Sequence, residues 1–407
     1  MKLLMAIGAI GSIYLSQCSD EIFTDLKSEF MIMVVGVLIG GMILVSANNM
    51  LSIYLGVETL SILSYVMASF RRNDERSSEA GLKYSLYGGI AAGIMLFGLS
   101  HLYGVLGTIQ FAELGDKLKL LSTGEVLVLL PSFLMFFAGL GYKIACVPFH
   151  MWSPDVYEGS PLPVTTFFAI VPKLAGIAAI LRVSLTFFSE EGLLQYSWVG
   201  ILLVISVLTM TVGNVAAIGQ KSIKRMLAYS SISHAGFMLM GVTVVDQSGV
   251  SAVAYYGLVY LFMTLLAFYI VGHVSNVYGN DDFDRFNGMV KRHPFVTILM
   301  TITMLSLAGV PPFGGFVAKF NLLAVVVNKK LYILAIIAGL NSVVSLYYYL
   351  KIVRCMVFNQ PESTEQIPAF NMINVSILTI FVVPIFVLGI FWNDFFKLAS
   401  EAHIFIP

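Results

Sequence analysis

Residues 295–328 read FVTILMTITMLSLAGVPPFGGFVAKFNLLAVVVN, a run of 34 residues in which Lys319 is the one charged side chain. A straight helix needs about 20 residues to cross the hydrocarbon of a bilayer, so this run is too long for one unbroken crossing. Its centre, Gly309-Val310-Pro311-Pro312-Phe313-Gly314-Gly315, cannot continue a helix. Each proline lacks a backbone donor, and its ring strikes the carbonyl one turn back. The segment therefore reads as a helix that unwinds at membrane depth and then resumes. Backbone opened at that depth is tolerated inside protein or beside a wet cavity, not in lipid. A second punctuated span lies upstream, where Gly139-Leu140-Gly141 precedes Lys143 and Pro148 follows.

The composition makes lipid the natural solvent for the whole chain. Of 407 residues, 58% are hydrophobic and 11% charged, against about a quarter charged in a soluble domain. Mean hydropathy is +0.88. Apolar runs predict spans near 3–17, 30–47, 51–70, 83–106, 124–147, 163–188, 195–218, 226–245, 250–278, 295–328, 331–358 and 372–394. The expected fold is an all-α integral membrane protein of about 12 transmembrane helices. The first span follows Lys2 and is short enough to read as a signal peptide as well, although Gln17 is a poor neighbour for a cleavage site at Cys18. Segment 279–293 is the largest cytoplasmic connection and reads as an ordered polar loop.

Orientation follows from the basic residues. With the N-terminus outside, the loops 18–29, 71–83, 148–162, 219–225 and 279–293 face the cytoplasm. They carry most of the Lys and Arg outside the spans, including Arg71 and Arg72. The two broken spans are the fifth and the tenth. That spacing fits a five-helix unit used twice in inverted sense, a device of transporters whose binding site lies between the repeats. Two ordinary proline kinks would give the same pattern. The division expected is a short helix and loop over 1–29, a first repeat over 30–188, a second over 189–360, and a C-terminal helix within 361–407.

The charge balance, 23 basic against 23 acidic residues, favours no nucleic acid. Cys18, Cys146 and Cys355 are far apart and form no CxxC pair, so they suggest neither a disulfide framework nor a metal or iron–sulfur site. The informative residues are the ions inside the spans. A charge at the bilayer centre costs about 2.5–3.5 kcal/mol, and Glu58, Lys143, Lys173 and Lys319 all sit well inside. Such groups must face a hydrated interior, pair with one another or lose charge. Glu58 shares one helix face with Tyr54, Ser61 and Tyr65 by their 4-3-4 spacing. Burial disfavours the charged form of an amine and an approaching carboxylate favours it, so a changing Glu–Lys distance gives a proton a reason to load and leave. The plainer role for each lysine is a snorkelling or helix-gluing cation, and for Glu58 a hydrogen-bonded carboxyl. His234, one turn after Ser230, and His150, just past the first break, are secondary relay candidates; a structural histidine is the plainer reading of each. Arg182, Lys351 and Arg354 approach span ends and read as snorkelling anchors.

Between Lys143 and Lys173 the chain reads KIACVPFHMWSPDVYEGSPLPVTTFFAIVPK. This resembles the subunit N family of bacterial NADH–quinone oxidoreductases (respiratory complex I), whose mitochondrial counterpart is NADH dehydrogenase subunit two. Further matching segments are ETLSILSYVMASFRR (58–72), EAGLKYSLYGG (79–89), IKRMLAYSSISHAGFMLMG (223–241), LSLAGVPPFGGFVAKF (305–320) and LNSVVSLYYYLKIVR (340–354). The resemblance implies two inverted five-helix repeats, each with a broken helix, in a 14-helix protein. It implies proton transfer through Glu58, the central lysines Lys143 and Lys173, and Lys319 on the second broken helix. It also implies that NADH, FMN, iron–sulfur clusters and quinone belong to partner subunits, that neighbouring antiporter-like subunits flank the chain, and that it resides in the bacterial inner membrane or its mitochondrial equivalent. The family has about three helices before the repeat, whereas here at most one precedes residue 30. Competing readings are an Mrp-type cation/proton antiporter subunit, which the PDVYEG run disfavours, and a purely structural membrane scaffold.

Overall fold

The computed structural model describes residues 1–71, 74–119, 123–188, 192–360 and 372–401. Arg72, the boundary between the two expected repeats at 188/189, and residues 361–371 and 402–407 of the expected C-terminal segment lie outside them. In chain order the helices begin with α1 (Lys2–Cys18), α2 (Lys27–Ser46), α3 (Met50–Ala68), α4 (Glu75–Leu106), α5 (Phe111–Lys119) and α6 (Thr123–Ile144). They continue with α7 (Trp152–Gly159), α8 (Leu162–Phe188), α9 (Leu193–Ile218), α10 (Ile223–Val242) and α11 (Gln247–Tyr278). The last are α12 (Met289–Arg292), α13 (Pro294–Ala308), α14 (Gly314–Asn328), α15 (Tyr332–Phe358), α16 (Met372–Ile390) and α17 (Trp392–Ser400). Among the described residues, eight helices are long and apolar enough to cross a membrane: α2, α3, α4, α6, α8, α9, α11 and α15. A ninth span is counted if α16 and α17, bent by 87°, are taken together.

Helix starts are set by short polar side chains. Asn49 caps α3, Asp74 caps α4, Ser222 caps α10 and Asp246 caps α11, each accepting from backbone N–H groups of the first turn. The cap at Asp74 starts α4 eight residues before the apolar run predicts, because hydropathy sees the span and not the polar turns that precede it. The 279–293 connection is ordered, as expected: Asp281 accepts from Ser222 and from the Lys224 backbone N–H.

Packing sorts the helices into centre and rim. The span window of α8 is entirely enclosed, and α11 is nearly so; α1, α2, α6 and α11 pack around α8. Rim helices turn large apolar side chains outward, among them Ile32, Leu86, Ile90, Ile333 and Val343. Exposed apolar surface on this scale suits lipid, not water.

Both breaks are present. α6 ends at Ile144, Ala145 turns left-handed at φ 57°, and α7 begins at Trp152. Gly139 and Gly141 lie inside α6 and are not the break, because they serve close packing: a Cβ on Gly139 would run into Met95. The second break runs from Gly309, at φ 88°, to Phe313, with α13 before it and α14 after. Only glycine takes that φ without strain, and a Cβ there would also press on the Lys319 side chain at 2.9 Å.

Candidate functional site

Four ionisable groups and one histidine lie on helices that meet in the interior. Lys143 is the penultimate residue of α6 and is 1% exposed. Its ammonium donates to Ser61 Oγ on α3 at 2.9 Å and to Tyr84 OH on α4 at 3.3 Å. The rings of Tyr84 and Tyr65 lie 5.2 and 5.7 Å from it. The polar stripe expected on α3 therefore reaches Lys143 through Ser61 and Tyr65. Glu58, on that stripe, is half-buried, and its Oε1 is enclosed without a protein partner. It faces Lys143 electrostatically and forms no direct ion pair with it.

Lys173 sits in the middle of α8, fully enclosed, just after Pro172. It donates to Ser231 Oγ on α10 at 2.7 Å, and the ring of Tyr157 on α7 lies 6.0 Å away. The next residue back, Ser230, shares a hydrogen bond with Tyr349 OH of α15. Tyr349 OH also meets His234 Nε2 at 3.0 Å, and His234 Nδ1 meets Tyr256 OH of α11 at 2.6 Å. His234 is thus held at both ring nitrogens by hydroxyls, each able to donate or accept. A histidine fixed only for packing needs neither partner to be amphoteric.

Lys319 lies on α14, and its ammonium turns back across the break to donate to the Ala308 carbonyl at 2.9 Å. That carbonyl is among those a helix leaves unpaired at its C-terminal end, where the backbone dipole favours a cation. The ring of Phe237, one turn beyond His234 on α10, lies 4.9 Å from the same ammonium. Interrupting the helix therefore creates the polar seat that holds the charge. His150 falls in the turn between α6 and α7 and is half-buried, with its Nδ1 unpartnered. The structure gathers Lys173, His234 and Lys319 around α10 and seats Lys143 against α3 and α4, an interior belt of polar groups with His150 to one side.

Several members of the belt escaped the sequence reading. Tyr84, Tyr256, Tyr349 and Ser231 carry no charge, so an insertion-cost argument does not mark them. Lys224 was missed for a different reason: charge counting places it in the 219–225 loop, whereas it is the second residue of α10 and 4% exposed. Its spacing of seven residues from Ser231 was the available signal, since that places both on one helix face. Lys351, expected to snorkel, donates to the Gln220 carbonyl and lies 4.2 Å from the ring of Phe283.

What this arrangement can do chemically is limited and specific. Hydroxyls and an imidazole between buried amines can pass protons; among the described residues, no group of three or more His, Cys, Asp or Glu side chains gathers to hold a metal ion.

Comparison with known proteins bears on the same interior. A protein of Anaeromyxobacter sp. (strain Fw109-5), named NADH-quinone oxidoreductase subunit N, is 39% identical over 416 residues, covering 96% of this chain and 80% of that protein. A chain of respiratory complex I from Thermus thermophilus superposes with a TM-score of 0.83 at 31% identity, over 98% of this chain and 86% of that one. A chain of the Mrp complex from Dietzia sp. DQ12-45-1b shares the fold at a TM-score of 0.81 and 20% identity, over 98% of this chain and 80% of that one. The sequence profile described as NADH:quinone oxidoreductase/Mrp antiporter, TM, matches residues 47–345, which contain both helix breaks and all of the buried amines. The chain belongs to the NADH:quinone oxidoreductase/Mrp antiporter family of membrane proteins.

Proposed function

We propose that this chain is the antiporter-like, proton-translocating subunit of an NADH–quinone oxidoreductase, the counterpart of subunit N. The observation that carries the reading is the belt of enclosed amines, each seated on hydroxyls or on a freed helix carbonyl, in a chain 39% identical to a relative of that name. Quinone reduction in partner subunits drives the charge rearrangement. Glu58 and Lys143 form the first coupled pair, Lys173 receives the proton at the centre, His234 passes it on, and Lys319 delivers it. His150 stands at the first break as a subsidiary relay.

In this reading the chain makes twelve crossings. α1, α10 and the broken pair α13/α14 join the eight long apolar helices and the bent α16/α17 span. Residues 30–188 and 189–360 form two inverted five-helix repeats, with the breaks after Lys143 and after Ala308 in corresponding places. NADH, FMN, iron–sulfur clusters and quinone belong to partner subunits, and the three separated cysteines of this chain offer them no ligand set. The neighbours are other membrane subunits, antiporter-like ones among them, in a bacterial plasma membrane.

The test is purification from native membranes followed by reconstitution. The chain is expected to co-purify with NADH–quinone reductase activity, and Lys173→Met complex is expected to lose proton translocation while remaining assembled. A chain that purifies alone and exchanges sodium for protons would establish the Mrp-type reading instead. Wild-type translocation at full turnover in Lys173→Met complex would remove the proposed role of the belt.

A further inference from the structure

Lys224 is a fourth enclosed amine that the scheme above does not use. Its ammonium donates to the Ser160 carbonyl, which follows the last residue of α7. The carboxylates that surround it, Glu21, Glu158 and Asp281, are each engaged elsewhere. Glu21 pairs with Arg71 and accepts from the Leu162 N–H, Glu158 pairs with Arg225, and Asp281 accepts from Ser222 and the Lys224 backbone. Arg71 is the other cation facing it.

A polar cavity of about 250 Å³, lined by Arg76, Glu79, Lys83, Asp155, Glu158 and Arg225, reaches the residues next in sequence to Lys224 and Ser160, namely Arg225 and Gly159. The hydroxyls of Ser153, Tyr157 and Ser160 are enclosed without a well-formed hydrogen bond, and that of Tyr157 has the hydroxyls of Ser153 and Ser231 as neighbours. The spacing of four puts Ser153 and Tyr157 on one face of α7, with Ser160 just past its end. Tyr157, between the two serines, lies against Lys173, whose other neighbour, Ser231, lies two turns beyond Lys224 on the same face of α10. A small cavity lined by Ser230, Ser231, Tyr260 and Thr264 lies against α10 at this level. Enclosed hydroxyls without partners are rare in folded proteins and call for a use.

We infer that Lys224 is the loading residue of the proton route, taking a proton from the cytoplasmic cavity and passing it along the α7 hydroxyls to Lys173. The inference rests on the proposed function. Lys224 gives up one proton and becomes a neutral amine, each hydroxyl accepts one proton and releases another, and a neutral Lys173 becomes an ammonium. The cavity then refills Lys224. The competing role is a clamp that fastens α7 to α10.

Two substitutions separate the roles in whole complex reconstituted in vesicles. Tyr157→Phe keeps the ring beside Lys173 and removes a hydroxyl that takes no part in the Lys224–Ser160 contact, so a clamp predicts no change. Loading predicts that proton translocation falls at least about 10-fold, in line with loss of a positioned proton-transfer group. Lys224→Arg keeps the charge and the donor to Ser160 but cannot deprotonate, so it restores a clamp and leaves loading blocked. Lys224→His, which can exchange its proton, is expected to recover part of the loss. Tyr157→Phe complex translocating at the wild-type rate overturns the inference, whether or not the Lys224 variants assemble. Lys173→Met is the control: if it fails while Tyr157→Phe works, only the loading role is lost, and if both work the proposed function goes with it.

Discussion

Replacing Lys143 by methionine should leave the fold nearly as stable and stop the proton. The side chain is 1% exposed, so the variant releases the expense of holding a charge at membrane depth, about 2.5–3.5 kcal/mol. It gives up two charge-assisted hydrogen bonds, to Ser61 and to Tyr84. Ser61 is not orphaned, because its own hydroxyl donates to the Val57 carbonyl. Tyr84 loses the ammonium but keeps Ser64 beside its hydroxyl, so the cost there is at most about 1–3 kcal/mol. Methionine has nearly the length of the lysine stem and fills the space. The two sums nearly cancel, and the expected net change is within about 2 kcal/mol in either direction, as for buried ions replaced by apolar residues of similar volume. Function should respond quite differently, with proton flux through this subunit falling about 100-fold or more on loss of a positioned transfer group. Thermal melting of the purified complex reads the first quantity, and pH-dye uptake in vesicles against NADH oxidation reads the second. Wild-type proton uptake per electron at full turnover refutes the reasoning. So does a collapse of stability, which would make Lys143 a structural cation.

Two further outcomes are expected. Gly309→Ala forces a side chain into φ 88° and against Lys319 Cδ at 2.9 Å; it should cost about 1–3 kcal/mol from the backbone alone and reduce proton flux with Lys319 displaced, whereas unchanged melting and flux would show that the break tolerates a regular helix residue. At the opposite surface Asp246 caps α11 and pairs with Lys329 at 2.8 Å. Burial pushes its carboxyl up, but the hydrogen bonds from Lys329, Ser248 and the Gly249 N–H outweigh that and hold it below the usual carboxylate range. A carboxyl lowered on folding stabilises above its unfolded value and loses that contribution as pH falls through the folded one; the melting difference between wild type and Asp246→Asn should therefore be constant near neutrality and shrink below about pH 4, and a difference that grows on acidification would contradict the assigned ion pair.

The rim of the site was harder to read than its ions. Insertion cost marks a charge wherever it stands in an apolar run, so Glu58, Lys143, Lys173 and Lys319 stood out. It is blind to Tyr84, Tyr349 and Ser231, whose hydroxyls are cheap to bury once bonded. It also misjudged Lys224, because the polar cap at Ser222 starts α10 inside what hydropathy treats as a loop. The first break was placed a few residues early for a related reason: glycines mark both unwinding and close helix contact, and only the neighbour across the interface, Met95, tells which.

Solvent, element type and the two interruptions were determined by the sequence alone, since apolar run length and proline chemistry act locally and need no partner. The tertiary structure decided which side chains meet. That the Lys143 ammonium reaches Ser61 of α3, that Lys173 reaches Ser231 of α10, and that Lys319 returns to the carbonyl at Ala308 are matters of helix packing between residues 11 to 82 positions apart. Such contacts depend on the rotation of each helix about its own axis, which neighbouring helices impose and no window of sequence records.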